Sequence, residues 1–147
     1  ALPTGFKHAY HLNASALRKI FDWEYLRMTV GSPVVIYGIK NCDTMKKART
    51  WLEAHDIAYR FHDYKAAGIE RDRLKAWVEE VGWEKLLNRA GTTFRKLPDA
   101  EKADMNAEKA VHLMEDQPSM IKRPVLDLGD RRVVGFKPEI YEAAFAS

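Results

Sequence analysis

Residues 34–64 read VVIYGIKNCDTMKKARTWLEAHDIAYRFHDY, and their pattern decides the fold class. Val34 to Ile39 is short and β-branched, and is stopped by Gly38 and the polar Asn41, which predicts a buried strand. Residues 43–55 place Met45, Ala48 and Leu52 on one face and Lys46, Lys47 and Arg49 mostly outward, so a helix is expected there. Ile57 and an imperfect alternation from Tyr59 to Tyr64 predict a second strand. Strand, helix and strand within about 30 residues form a βαβ unit, which packs right-handedly with its strands parallel.

Downstream, Leu74, Trp77, Val78 and Val81 give residues 70–82 one apolar face, and Gly82 ends that helix. Trp83 to Leu87 adds a turn, and Asn88-Arg89-Ala90-Gly91-Thr92-Thr93 reads as a polar, basic loop leading to Phe94. Asn106 is a candidate N-cap for a helix carrying Ala107, Ala110, Val111 and Met114. Pro124 opens the apolar run Val125 to Leu128, and Gly129-Asp130 turns into Arg132 to Phe136, a hairpin signature. Pro138 starts a last helix with Ile140, Tyr141, Ala144 and Phe145. A βαβ unit, a helical insertion and a closing ββα is the order of the thioredoxin fold. The expectation is an α/β domain with a mixed four-stranded sheet, its final hairpin antiparallel to the first two strands.

Upstream the texture changes at Met28. Residues 1–27 hold a rough helical stripe of Leu17, Ile20, Phe21 and Tyr25. Two readings stand: an arm that docks on a partner, or an N-terminal extension outside the domain, with Met28 as the native start. The second is favoured, so the domain is taken as residues 28–147.

The 147 residues suit one domain with a real core. No run approaches the roughly 18 apolar residues that span a bilayer, and the first residues lack a secretory h-region, so a cytoplasmic protein without membrane contact is expected. A single cysteine excludes an internal disulfide framework and a Cys-only zinc site. It leaves open a mixed disulfide with an external thiol. The formal charge of +3 divides into +2 for residues 1–27 and +1 for the rest, too little to attract a phosphate backbone, so no direct nucleic-acid partner is expected. His55, His62 and His112 lack ligand spacing and His8 with His11 makes at most a weak surface pair, so no metal is assigned. Trp51, Trp77 and Trp83 read as packing, and Glu79-Glu80 as a solvated helix face.

Cys42 falls where the first strand ends and the first helix begins. Unpaired N–H groups at a helix N-terminus bias a thiol toward thiolate, which is both nucleophile and leaving group. Lys40, Lys46 and Lys47 add positive charge and Asp43 opposes it. A free cysteine is more often buried and inert, but the polar neighbours 40–44 favour the reactive reading. Arg123-Pro124 stands directly before a strand. In a thioredoxin-like fold that proline faces the first helix's N-terminus and its peptide bond is expected to be cis. Arg123 could then aim its planar fork at Cys42 or at a bound anion.

These residues resemble the ArsC/Spx family, most closely its YffB-like branch. The resemblance is carried by Val35 to Leu52, by Leu86-Leu87-Asn88-Arg89 with Thr92-Thr93-Phe94, by Ile121 to Val125, and by Gly135-Phe136-Lys137-Pro138-Glu139. It implies that Cys42 is the nucleophile. Of the three arginines that hold arsenate in the family's reductases, one falls on Arg123, one on Asn88 or the adjacent Arg89, and the third position is Lys137. The histidine four residues before the cysteine is Gly38, and the second cysteine of the Spx Cys-x-x-Cys switch is Met45. Lysine is a point charge where arginine is a fork, so the arsenate reading weakens. The disulfide switch is lost.

The leading expectation is therefore a glutathione-dependent thiol/disulfide oxidoreductase. Cys42 is its nucleophile, and Arg123, Arg89, Lys137 and Asn41 are its anion-binding group. It needs no bound cofactor; glutathione is the co-substrate, glutaredoxin a candidate partner, and a monomer is expected. The alternatives are a glutathione- and glutaredoxin-linked arsenate reductase, and a non-catalytic Spx-like protein docking on RNA polymerase.

Overall fold

The computed structural model describes residues 10–12 and 34–146. The stripe from Leu17 to Tyr25 and the boundary at Met28 lie outside the described residues. The chain divides into two units: one runs to Ala67 and resumes at Arg123, and the other spans Gly68–Lys122.

The first unit holds the sheet. Strands β1 (Tyr10–Leu12), β2 (Val34–Gly38), β3 (Tyr59–Asp63), β4 (Val125–Asp127) and β5 (Arg132–Val134) lie in the order β1-β3-β2-β4-β5. β2 and β3 run parallel from Val34↔Tyr59 to Gly38↔Asp63, and β4 and β5 return antiparallel, with Tyr37 opposite Val125 and Val125 opposite Val134. The four expected strands are present with the expected directions. The sheet has one more, because β1, drawn from the stretch read as an extension, pairs antiparallel with β3.

Helix α1 (Asp43–Ala54) buries Met45, Ala48 and Leu52, the face its spacing predicts. They join Ile36, Tyr59, Phe61, Leu126 and Tyr141 in one apolar cluster. Each aliphatic side chain so buried contributes on the order of 2 kcal/mol. A polar clamp ties α1 to β3: Arg49 Nε donates to the Tyr59 hydroxyl at 3.1 Å, which donates to Glu53 Oε1 at 2.9 Å. The Arg49 guanidinium also lies 4.7 Å from the Phe61 ring centre.

Tyr64, assigned above to the second strand, instead opens a short helix, α2 (Tyr64–Ala67). Asp63 Oδ1 accepts the N–H groups of Lys65 and Ala66 at 3.0 and 3.2 Å and so turns the chain out of the sheet. The last helix of this unit (Pro138–Phe145) presents Tyr141 to the core, edge-on to Trp51 and Phe136. Ile140, grouped above with its apolar residues, is 39% exposed. Adjacent helical residues point about 100° apart, so Ile140 cannot share the face of Tyr141.

The second unit is helical: α3 (Arg71–Val81), α4 (Trp83–Leu86), α5 (Thr92–Arg95), α6 (Asp99–Lys102) and α7 (Ala107–Asp116), with a 3₁₀ turn at Pro118–Met120; in chain order, Pro138–Phe145 is then α8. Leu74, Trp77 and Val78 of α3 and Ala110, Val111 and Met114 of α7 are buried as their spacing predicts. Val81 is half-buried and Ala107 exposed. Asn106 caps α7 by accepting the Lys109 N–H at 2.9 Å. α5 takes up the end of the segment read as loop. No helix among the described residues is long and apolar enough to cross a membrane.

Candidate functional site

The topology of the first unit brings three segments to one edge of the sheet. β2 and β3 end side by side at Gly38 and Asp63, and β4 begins beside Tyr37. The loop to Cys42, the turn at Tyr64 and the Arg123-Pro124 pair therefore meet at the carboxyl end of β2. The Arg123–Pro124 peptide bond is cis and Pro124 is buried.

Cys42 is the N-cap residue of α1, half-buried, with extended backbone (φ −139°, ψ 129°), and its carbonyl accepts the Lys46 N–H at 3.0 Å. Its sulfur forms no close cap bond of the kind an oxygen makes. Burial raises the thiol's pKa, but the Met45 N–H, the Arg123 side chain, the Thr44 N–H and the Arg123 charge outweigh burial. The result is a thiol held below its ordinary value. Two backbone donors and one fixed cation favour the charged form, which is what a thiolate nucleophile needs.

Arg123 is half-buried, with its Nε out of contact with solvent. Its positive charge pulls the pKa values of both Cys42 and Tyr64 downward. Tyr64 is fully buried. Burial pushes its phenol well above the ordinary tyrosine range, against the pull of the Arg123 charge and hydrogen bond.

The other proposed site residues fall as follows. Asn41 is exposed in the bend directly before Cys42. Lys137 is the N-cap residue of α8, with an exposed side chain, and its carbonyl accepts the Ile140 and Tyr141 N–H groups. Arg89 belongs to the second unit, where its guanidinium lies 5.3 Å from the Trp83 ring centre. Asn88 turns inward within that unit: its N–H donates to the Met120 carbonyl at 2.7 Å, and a Cβ on Gly91 would lie 2.8 Å from its side-chain amide. Of the two positions left open for the loop arginine, Arg89 is the exposed one.

Tyr64 is the residue that sequence reading missed. The available signal was an aromatic side chain directly after a strand that ends level with Gly38. Among the described residues no group of three His, Cys, Asp or Glu side chains is arranged to hold a metal ion.

Comparison with known proteins identifies the family. The ArsC family model matches residues 37–144. The solved structure of a YFFB protein is 66% identical, covers 76% of this chain and 97% of its own, and superposes with a TM-score of 0.74. An arsenate reductase (ArsC) related protein from Brucella melitensis is 56% identical, with 80% and 98% covered and a TM-score of 0.64. The global transcriptional regulator Spx of Streptococcus mutans is 26% identical over 72% of this chain and 78% of its own length.

Proposed function

We propose a function from one premise: the chain belongs to the ArsC family, in its YffB-like branch. The protein acts as a thiol/disulfide oxidoreductase with Cys42 as nucleophile and glutathione as the external thiol. The observation that carries this reading is the Cys42 thiol, held toward thiolate by Arg123 and two backbone donors in a half-buried site.

The cycle has two exchanges. The Cys42 thiolate attacks the glutathione sulfur of a mixed disulfide, forms a Cys42–glutathione disulfide and releases the substrate as thiolate, which takes a proton from water. A second glutathione, as thiolate, then attacks that disulfide at the bound glutathione sulfur. Glutathione disulfide leaves and the Cys42 thiolate returns. Overall one free glutathione thiol is consumed: the substrate leaves as a thiol, and its former glutathione leaves joined to the incoming one as glutathione disulfide. The second exchange must come from outside, since the chain has no other cysteine.

Arg123 and Lys137 are assigned to hold a carboxylate of glutathione, and Asn41 to the substrate side of the same loop. A fixed guanidinium next to an attacking sulfur also stabilises the charge that moves through the exchange.

Turnover of a glutathionylated disulfide with glutathione, followed by mass spectrometry of the Cys42 adduct, tests this reading. Expected are a single glutathione adduct on Cys42 after treatment with glutathione disulfide, its release by glutathione, and no turnover in Cys42→Ser. Failure to form the adduct at any pH up to 9 overturns it. Arsenate-dependent oxidation of glutathione in the same assay supports reductase chemistry on arsenate instead, the reading that the ArsC-related relative favours. Absence of both activities, with capture of RNA polymerase from extract, supports an Spx-like docking role.

A further inference from the structure

Trp51 and His55 stand one turn apart at the end of α1, and Glu142 and Phe145 one turn apart at the end of α8, so each pair shares a helix face. Together with Ile57 they line a cleft of about 400 Å³ within the first unit. Its wall is aromatic and flat. The Trp51 ring centre lies 3.7 Å from that of His55 with 20° between the planes, and 5.8 Å from that of Phe145 with 26°. Tyr141 holds Trp51 edge-on from the core, at 5.5 Å.

The polar groups of the cleft are acceptors. His55 Nδ1 lies 2.8 Å from the Trp51 carbonyl oxygen, which can only accept, so Nδ1 carries a proton and the neutral ring keeps its lone pair on Nε2. Glu142 is exposed, and no ion pair among the described residues engages its carboxylate. Both helices end here, with the partial negative charge of their last carbonyls, and neither has a basic residue in its last turn. A guanidinium already uses this potential: Arg131 donates to the Ala144 carbonyl near the end of α8. Flat rings beside a carboxylate complement a guanidinium, which stacks through its plane and donates from its edge. An ammonium has no plane to stack, and a neutral group gains no charge attraction from Glu142. The exposed His55 and Glu142 leave the cleft open, which suits a side chain reaching in from another protein better than an enclosed small molecule.

We propose that this cleft binds an arginine side chain of a protein partner, with the guanidinium stacked along the aromatic wall and its N–H groups directed at the Glu142 carboxylate and His55 Nε2. The inference is independent of the cysteine chemistry. Cys42 caps the opposite end of α1, about 18 Å away along a 12-residue helix.

The test is an NMR titration of the full chain with the peptide acetyl-Gly-Arg-Gly-amide and with its citrulline and lysine counterparts. The chain has four tryptophans, and the Trp51 indole signal is assigned by its loss in Trp51→Phe. Expected is a saturable shift of the Trp51 and His55 signals with the arginine peptide, at a dissociation constant on the order of a millimolar. The citrulline peptide, with the same shape and no charge, should bind about fivefold more weakly, and the lysine peptide also more weakly than arginine. Glu142→Gln, at an exposed position, should weaken the arginine peptide about twofold to fivefold and leave citrulline unchanged. Phe145→Leu keeps apolar bulk and removes a ring, and should bring arginine down toward lysine.

No saturable shift with up to about 50 mM peptide overturns the inference. Equal binding of arginine and citrulline means apolar contact alone, and equal binding of arginine and lysine means a general cation site; either result overturns it. So does an unchanged arginine affinity in Glu142→Gln. If the Trp51 and His55 signals move with protein concentration alone, a second copy of this chain is the occupant and the assignment to a partner fails.

Discussion

The thioether of Met45 occupies the space that any side chain at position 38 would need: a Cβ built on Gly38 would lie 2.2 Å from Met45 Sδ. Both positions were singled out by the family resemblance, which implies a histidine at 38 in the arsenate reductases and a second cysteine at 45 in Spx. The departures are one packing solution. Met45 is 1% exposed and belongs to the core, and it fits only because residue 38 has no side chain.

Gly38→Ala is therefore expected to destabilise the protein by about 1–3 kcal/mol, the usual range for overpacking a core. Met45→Ala alone costs about 2–5 kcal/mol by opening a cavity. The double variant should cost less than the two added together, by about 1 kcal/mol or more, because each change makes room for the other. Urea denaturation of the four proteins measures this coupling. Strict additivity would show that the two side chains do not compete for the same space.

Arg123 beside the Cys42 sulfur also predicts a preference among reagents. Iodoacetate carries a carboxylate and iodoacetamide does not. Arg123→Ala should slow alkylation by iodoacetate more than by iodoacetamide, widening the ratio roughly threefold to tenfold at low salt. Equal slowing of both reagents would mean that Arg123 acts on the thiol alone and does not guide anions.

The lowered thiol couples stability to pH. The folded Cys42 pKa lies below the unfolded value, so folding favours the charged form. The stability that this adds is fully present above the unfolded thiol value of about 8.5 and is lost as pH falls through the lower folded value. Compared with Cys42→Ser, the wild type should gain in melting temperature between pH 6 and pH 9. A difference that stays flat across this window would mean that the thiol titrates alike in both states.

Tyr141 offers a stabilising change. It is fully buried, and its hydroxyl finds no hydrogen-bond partner among the described residues. Tyr141→Phe keeps the ring against Trp51 and Phe136 and removes the unpaired group, and should raise stability by about 1 kcal/mol. Destabilisation in thermal or urea unfolding would show that the hydroxyl has a partner in solution.

The long elements were legible because their period shows over two or more turns. Met45, Ala48 and Leu52 announced α1, and Leu74, Trp77 and Val78 announced α3. The helices α2, α5 and α6 were not, since four residues barely complete one turn and leave no period to detect. The last helix was legible from Pro138 and its apolar residues, of which Tyr141 is buried and Ile140 exposed. In the candidate site, Cys42 was legible from its place between strand and helix, and Arg123 from the proline after it. Tyr64 was invisible: Arg123 lies on the far side of the helical insertion in sequence, and only the pairing of β2 with both β3 and β4 brings their segments to the same end of the sheet.

With Met45 three residues after Cys42, any disulfide that Cys42 enters is broken by a second molecule. A neighbouring cysteine would act at the high effective concentration of an intramolecular group and make the return step first order. In the proposed cycle the return is second order. The lifetime of the oxidised protein is set by the concentration of free thiolate around it, so it lengthens in proportion as that pool is depleted.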